Sequence, residues 1–340
     1  MNHELLLLTP EDVRSLLSID DCIVAVENAF RLYGEGKAAA PAVLSVHVAT
    51  GGFHVKAGVL DLERSYFAAK VNGNFPENGS RFGLPTIQGV IVLCDAEQGT
   101  PLAVMDSRDI SSLRTAAASA VAAKYLARPD SLTLTVCGCG TQGRIQVQAL
   151  SRVCHLGAVF TYDQDEGRAV RLAQELTKEL GIPATPVRNL DTAVQQSDLC
   201  VTCTPSRQPL LGPADVKPGT FIAAVGADSP DKQELHPVLM AKSKIVVDVL
   251  QQCAVMGDLH HALEASSVTC GDVYAELGEV VARKKPGRQS DEEIIIFDST
   301  GMALQDVAAA ALVFENAEQQ RAGIRLNFAA WSVRTRRIRV

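Results

Sequence analysis

Between residues 132 and 153 an apolar, β-branched run ends in Gly138-Cys139-Gly140-Thr141-Gln142-Gly143 and passes directly into a helical pattern. This G-x-G-x-x-G, with a strand before it and a helix after it, constrains the fold more than any other part of the chain. Gly138 makes a tight turn, Gly140 lets the backbone come close to a pyrophosphate, and Gly143 brings the helix down onto the sheet. The free N–H groups at the helix start, around Thr141 and Gln142, then face the phosphates. Asp163 ends the next apolar run, twenty residues beyond Gly143. A carboxylate there accepts hydrogen bonds from ribose hydroxyls and repels a 2′-phosphate. With Asp165 close by and no arginine directly after Asp163, the pattern predicts NAD rather than NADP.

Strand-like runs at 132–137, 158–162, 185–187, 199–202, 220–225, 244–247 and 294–297 alternate with helical ones such as 142–153 and 166–180. Alternation of this kind means a parallel sheet covered on both faces. Ligands of such sheets lie beyond the carboxyl ends of the strands. Thr202 and Thr204 close one strand, and Val225, Gly226 and Asp228 close another, so both segments are expected at the nicotinamide end. The two threonine hydroxyls serve equally well as strand-end turn formers.

The amino-terminal part reads differently. Helical patterns up to Gly34 give way to short runs at 44–48, 53–57, 66–71, 86–93 and 101–105, with turn residues 95–99 closing a hairpin. These predict an antiparallel sheet. An alanine-rich helix over 109–127 follows, its small side chains allowing a close approach, and Pro129-Asp130-Ser131 marks a boundary. The expected fold class is α/β: a Rossmann-type doubly wound parallel sheet over 129–302, plus a second, α+β domain over 1–128. A carboxyl-terminal helix within 303–340 completes the latter.

With 39 acidic against 32 basic residues and a net charge of -7, the chain has no overall basic surface for nucleic acid. Residues 5–8 are all leucine but lack the basic lead of a signal peptide, and charges interrupt every later apolar stretch. We therefore expect a cytoplasmic protein without a membrane partner. Nine cysteines, an odd number, lie mostly in apolar runs and suit buried thiols better than disulfides. Cys137 and Cys139 have no second zinc-spaced pair, so no metal is expected. The arginine-rich stretch 334–339 reads as a solvated terminus.

Several spaced motifs together carry a resemblance. They are Lys70-Val71-Asn72-Gly73-Asn74 with Pro76, Leu113-Arg114-Thr115-Ala116-Ala117, the glycine fingerprint, Gly226-x-Asp228-x-Pro230-x-Lys232-x-Glu234-Leu235, and Phe297-Asp298-Ser299-Thr300-Gly301. In this order they resemble the ornithine cyclodeaminase/mu-crystallin family, over nearly the whole chain. That resemblance implies a homodimer whose non-Rossmann domain builds both the substrate site and the subunit contact. It also implies roles for particular residues: Lys70 and Arg114 on a substrate carboxylate, Asp228 in acid–base work on the substrate nitrogen, and Thr86, Lys232 and Ser299 at the cofactor, with Thr300 beside the substrate. Chemistry agrees. A lysine in an apolar strand needs an anion, an arginine fork grips a carboxylate or phosphate, and a strand-end aspartate can accept or return a proton.

The chain departs from cyclodeaminases in lacking their additional arginine and glutamate upstream of Lys70. His54 and Lys56, two apart on one strand face, are a substitute anion-binding pair or simply a solvent face. The resemblance thus implies an NAD-dependent oxidoreductase acting on a small 2-imino or 2-amino acid, that is, a ketimine or imino-acid reductase or an amino-acid dehydrogenase. The alternatives are an ornithine cyclodeaminase, which forms proline and ammonia with NAD unconsumed, and a crystallin-like binder of nucleotide and small ligand.

Overall fold

The computed structural model describes residues 4–327, and in it the chain builds two large sheets on either side of one helix. The first sheet takes β1 (Glu4–Leu8), β2 (Ala42–Val48), β3 (Gly51–Asp61), β4 (Ser65–Asn74), β5 (Ile87–Asp95) and β6 (Pro101–Asp106), in that order of sequence. The second takes β7 (Thr133–Cys137), β8 (Ala158–Tyr162), β9 (Ala184–Pro186) and β10 (Leu199–Thr202), a short ribbon of β11 (Arg207–Leu211) and β13 (Gln233–Leu235) lying apart from it. Next come β12 (Phe221–Ala224), β14 (Lys244–Val247), β15 (Ala275–Glu276) and β16 (Ile295–Asp298), while β17 (Ile324–Asn327) returns to the first sheet.

The second sheet has the order β15-β14-β16-β12-β10-β7-β8-β9 with every neighbouring pair parallel, as the alternating pattern predicts. Strands β10, β12 and β16 are buried along their full length, which is why they read as unbroken apolar runs. The first sheet, ordered β17-β1-β6-β5-β4-β3-β2, is antiparallel from β2 to β6, but β1 lies parallel to β6. The leucine run at 5–8 belongs to that strand, with Leu5, Leu6 and Leu8 buried. A strand covered on both faces shows no alternation, which hides it from a periodicity reading.

The carboxyl-terminal helix is shorter than 303–340. It spans Ala303–Gln320, and Arg321 (φ 55) and Gly323 (φ 82) then turn the chain back so that β17 pairs antiparallel with β1. The stretch 334–339 lies outside the described residues. Among the described residues no helix is long and apolar enough to cross a membrane, and all nine cysteines are free thiols.

Arg108–Leu126 is the helix between the sheets. Ala116 to Ala123 are all buried, their small side chains letting the helix pack against neighbours on several sides. It covers the inner face of the first sheet together with Pro10–Leu16 and Ala303–Gln320, while Ile19–Gly34 packs behind it and behind Ala303–Gln320 as a further layer. The outer face is different. Register places Leu44, Val55, Val71 and Val90 in one cross-strand row there, and Leu44, Val46, Val48, Phe53, Val71 and Val90 are 36–59 % exposed.

Candidate functional site

Strand pairing alone brings the key cations together. On the inner face Lys56 of β3 lies directly opposite Lys70 of β4, and the next row toward the β2–β3 turn holds Ser45, His54 and Asn72. Arg114 reaches the same place from the inter-sheet helix. Its Nε donates to Asp306 Oδ1 at 3.0 Å and its Nη1 to Gln305 Oε1 at 2.9 Å, while Lys70 Nζ donates to the same Asp306 oxygen at 2.8 Å. All three are buried, with side-chain exposures of 4 %, 9 % and 2 % for Lys70, Arg114 and Asp306. Lys56 Nζ donates to the carbonyls of Thr300 and Gly301 at 2.7 and 2.8 Å, linking the first sheet to the loop after β16.

Lys70 and Arg114 therefore share one carboxylate, and Lys56 lies beside them on backbone carbonyls. Burial and the Arg114 charge push Lys70 down to about 7 despite the pull of Asp306. Burial and Arg114 lower Lys56 as well. Asp306 loses hydration, which favours the neutral acid, yet the Arg114 and Lys70 charges outweigh this and hold its carboxyl below the usual range. Its second oxygen, Oδ2, is buried and accepts no hydrogen bond among the described residues. A buried cluster with excess positive charge is poised to receive an anion.

The facing wall comes from the carboxyl edge of the second sheet. Asp228 follows β12 with its side chain about half exposed (49 %), and Lys232 Nζ donates to its Oδ1 at 2.6 Å. Lys232, Lys56 and His54 outweigh the loss of hydration there and keep Asp228 below the usual carboxylate range. His54 is lowered by burial, with Asp228 opposing the shift. Lys56, His54 and Lys232 thus all act on Asp228, which makes the four groups electrostatic neighbours.

The glycine turn sits farther along the same edge. Gly138 has φ 101, and a Cβ on it would lie 2.8 Å from the Cys203 carbonyl oxygen. At Gly143 a Cβ would lie 2.0 Å from the Gly138 carbonyl oxygen, so strand and helix are in backbone contact there. Gly140 is exposed and a Cβ on it would meet nothing within 4 Å. The protein itself does not require glycine at that point; a group approaching from outside does. Thr141 and Gln142 open the helix Thr141–Val153, whose first-turn N–H groups face this open space. Asp163 Oδ2 accepts the Cys139 N–H at 2.8 Å and Oδ1 the Asp165 N–H at 2.9 Å, which draws the turn to the end of β8 and leaves lone pairs for ribose hydroxyls. These residues fit a dinucleotide.

Other expected residues are engaged in bonds within the protein or lie apart from the cationic row. The side chains of Ser299 and Thr300 face inward: Ser299 Oγ donates to Asp248 Oδ2 at 2.9 Å, and Thr300 Oγ1 accepts from Gln252 Nε2 at 2.7 Å. Of these two residues it is the Thr300 carbonyl that meets the cationic row, alongside that of Gly301. Thr86 is exposed at the entry to β5, its carbonyl accepting from the Phe75 N–H, with no hydrogen bond to the cluster or the turn among the described residues. Thr202 is fully buried, Val225 nearly so, and Thr204 and Gly226 bond Glu234. Asp306, Gln305 and Glu234 are the site residues to which sequence reasoning assigns no role.

Comparison with known proteins agrees with this geometry. The model of the ornithine cyclodeaminase/mu-crystallin family matches residues 3–321. The alanine dehydrogenase of Archaeoglobus fulgidus is 43 % identical over 96 % of this chain and 99 % of its own length. Among solved structures, an archaeal alanine dehydrogenase dimer with bound NAD superposes with TM-score 0.91, at 43 % identity over 96 % of this chain and 100 % of that one. The Thermococcus litoralis Δ1-pyrroline-2-carboxylate reductase, in complex with NADH and L-proline, gives 0.90 at 33 % identity over 95 % and 100 %. A glycine turn at the edge of a parallel sheet, an opposing row of buried cations and a family match over nearly the whole length lead to one conclusion: the chain belongs to the ornithine cyclodeaminase/mu-crystallin family.

Proposed function

We propose that this chain is an NAD-dependent oxidoreductase moving a hydride between nicotinamide and the α-carbon of a small 2-imino or 2-amino acid. The observation that carries the reading is the row of three cations, Lys56, Lys70 and Arg114, of which Lys70 and Arg114 pair with Asp306 while Lys56 is tied to the Thr300 and Gly301 carbonyls at the carboxyl edge of the second sheet. The named activities of the relatives, on alanine and on Δ1-pyrroline-2-carboxylate, support it.

In this reading Lys70 and Arg114 hold the substrate carboxylate, and Lys56 fixes the loop Thr300–Gly301 against the cleft. His54 lies one row outward and contacts the substrate's far end. Asp228, ionised, pairs with the iminium N–H and takes the proton from the ammonium in the oxidative direction. Lys232 competes for Asp228 and keeps it charged between turnovers. Gly138, Gly140, Gly143 and Asp163 would hold NADH, which when bound would supply the hydride. The balance is imino acid plus NADH plus a proton giving amino acid plus NAD. The carboxylates at Asp163 and Asp165 favour NAD over NADP.

We further propose two lobes, 1–128 with the carboxyl-terminal helix and 129–302, in a cytoplasmic homodimer joined through the outer face of the first sheet. Six apolar side chains there are left in water by one chain alone, more than a monomer comfortably exposes in one patch. L44D/V71D, which charges one cross-strand row, is expected to give particles near 36.2 kDa by light scattering, against twice that mass for the parent. A parent already at the single-chain mass refutes the dimer.

The function is tested by following NADH with 2-oxo acids plus ammonium, with Δ1-pyrroline-2-carboxylate, and with ornithine. Net NADH oxidation with an imino acid is the expected result. Proline and ammonia from ornithine at constant NADH mean cyclodeamination, and tight NADH binding without turnover on any of them means a binding protein.

A further inference from the structure

A fully buried acid closes the base of the loop that carries Asp228. Glu234 is 0 % exposed. Its Oε2 accepts the Gly226 N–H at 2.9 Å, and its Oε1 accepts both the N–H and the hydroxyl of Thr204, at 2.6 and 2.7 Å. Gly226 and Glu234 are the two ends of a single loop, and Asp228 and Lys232 form the ion pair within it. Thr204 follows β10, the neighbour of β12 in the sheet. One carboxylate thus joins the two strand ends that flank the cleft and closes the base of the loop that carries Asp228.

The surroundings fix this carboxylate in turn. Asp258 Oδ1 accepts the N–H groups of Glu234 and Leu235 at 2.8 and 2.7 Å, and His261 Nε2 donates to the Lys232 carbonyl at 2.9 Å. A Cβ on Gly226 would lie 2.5 Å from Glu234 Oε1 and 2.5 Å from the Thr204 carbonyl oxygen, so the approach leaves no room for a side chain. No cation pairs with Glu234 in a hydrogen bond or ion pair among the described residues. Burial pushes this carboxyl above its usual range, and an acid held there by backbone N–H and hydroxyl groups, with no cation partner, serves geometry rather than charge balance.

We infer that Glu234 is a positioning residue that holds Asp228 in the cleft by tying Gly226 to Thr204. The inference rests on the role proposed for Asp228 and is separable from it. In Glu234→Gln the shape is kept, but the amide NH2 must face either the Gly226 N–H or the Thr204 N–H, so one tie is replaced by two opposed donors.

The test is a double-mutant cycle on the full chain, reading kcat for NADH oxidation with whichever of Δ1-pyrroline-2-carboxylate and the 2-oxo acid plus ammonium mixtures turns over fastest, together with melting temperature. E234Q is expected to lower kcat by about ten- to a hundredfold while the imino-acid KM changes by less than about threefold. In a D228N background the same change is expected to lower the residual kcat by less than about twofold, because the group it positions is already gone. Equal losses in both backgrounds overturn the inference and mark Glu234 as a purely structural acid. An unaffected kcat in E234Q overturns it as well, whereas a normal kcat in D228N alone overturns the role of Asp228. Should E234Q not fold, Glu234→Asp, too short to reach both turns, replaces it in the cycle with the same expected pattern.

Discussion

Asp228→Asn is expected to lower the rate of imine reduction by on the order of a hundredfold or more, about 2.7 kcal/mol of transition-state stabilisation, with NADH affinity nearly unchanged. The asparagine keeps the shape and can still meet Lys232, so folding is not the issue. What it lacks is the negative charge that pairs with an iminium nitrogen and the ability to take its proton. In the wild type Lys232 and Lys56 hold that carboxyl below its usual range, so it stays ionised through neutral pH. Steady-state kinetics with NADH fluorescence titration in parallel separates the two effects. An equal loss in cofactor binding would place Asp228 with the cofactor instead of the substrate.

Lys70→Met is expected to act on substrate binding and on pH dependence together. Losing a charge-assisted hydrogen bond to the substrate carboxylate removes roughly 1.5–3 kcal/mol, so the KM for the imino acid should rise about ten- to a hundredfold. Lys70 titrates near 7 in the free protein because burial and Arg114 disfavour its charge. The wild-type kcat/KM for an anionic substrate should therefore fall as pH rises through about 7, and the methionine variant should lose this limb. Stability should move the other way. A folded-state pKa below the unfolded value of about 10.5 means the charged lysine opposes folding below pH 7, and that opposition fades between about 7 and 10.5. Methionine removes it while Arg114 and Gln305 still hold Asp306's neighbourhood together. The melting temperature at pH 6–7 is expected to be unchanged or a few degrees higher, a sign that the lysine is kept for binding. A large drop in melting temperature with normal KM would make Lys70 a structural cation.

The glycine turn, the parallel sheet and the two basic residues Lys70 and Arg114 are legible in the sequence because each is a local signal: a glycine spacing, an alternation of runs, a charge in an apolar setting. Asp306 is not. An acid in the first turn of an alanine-rich helix reads as a residue matched to the helix dipole, and only the folded chain brings it to Lys70 and Arg114. Lys56 is half-legible: its strand face is readable from spacing, but its bonds to the Thr300 and Gly301 carbonyls connect residues more than two hundred positions apart. Ser299 and Thr300 illustrate the converse. Their motif is recognisable, yet which way a hydroxyl turns depends on Asp248 and Gln252, which no local pattern places beside them. β1 and β17 escape because one lacks alternation and the other is a short strand beyond a helix end.

The central claim, direct hydride transfer to the α-carbon of an imino acid held by the cationic row, is tested most directly with NADH deuterated on both faces of C4 and the imine formed from a 2-oxo acid and ammonium. The account predicts one deuterium at C2 of the amino acid for each NADH oxidised. Amino acid formed without deuterium at C2, or ammonia released from a diamino acid with no net loss of NADH, would contradict it.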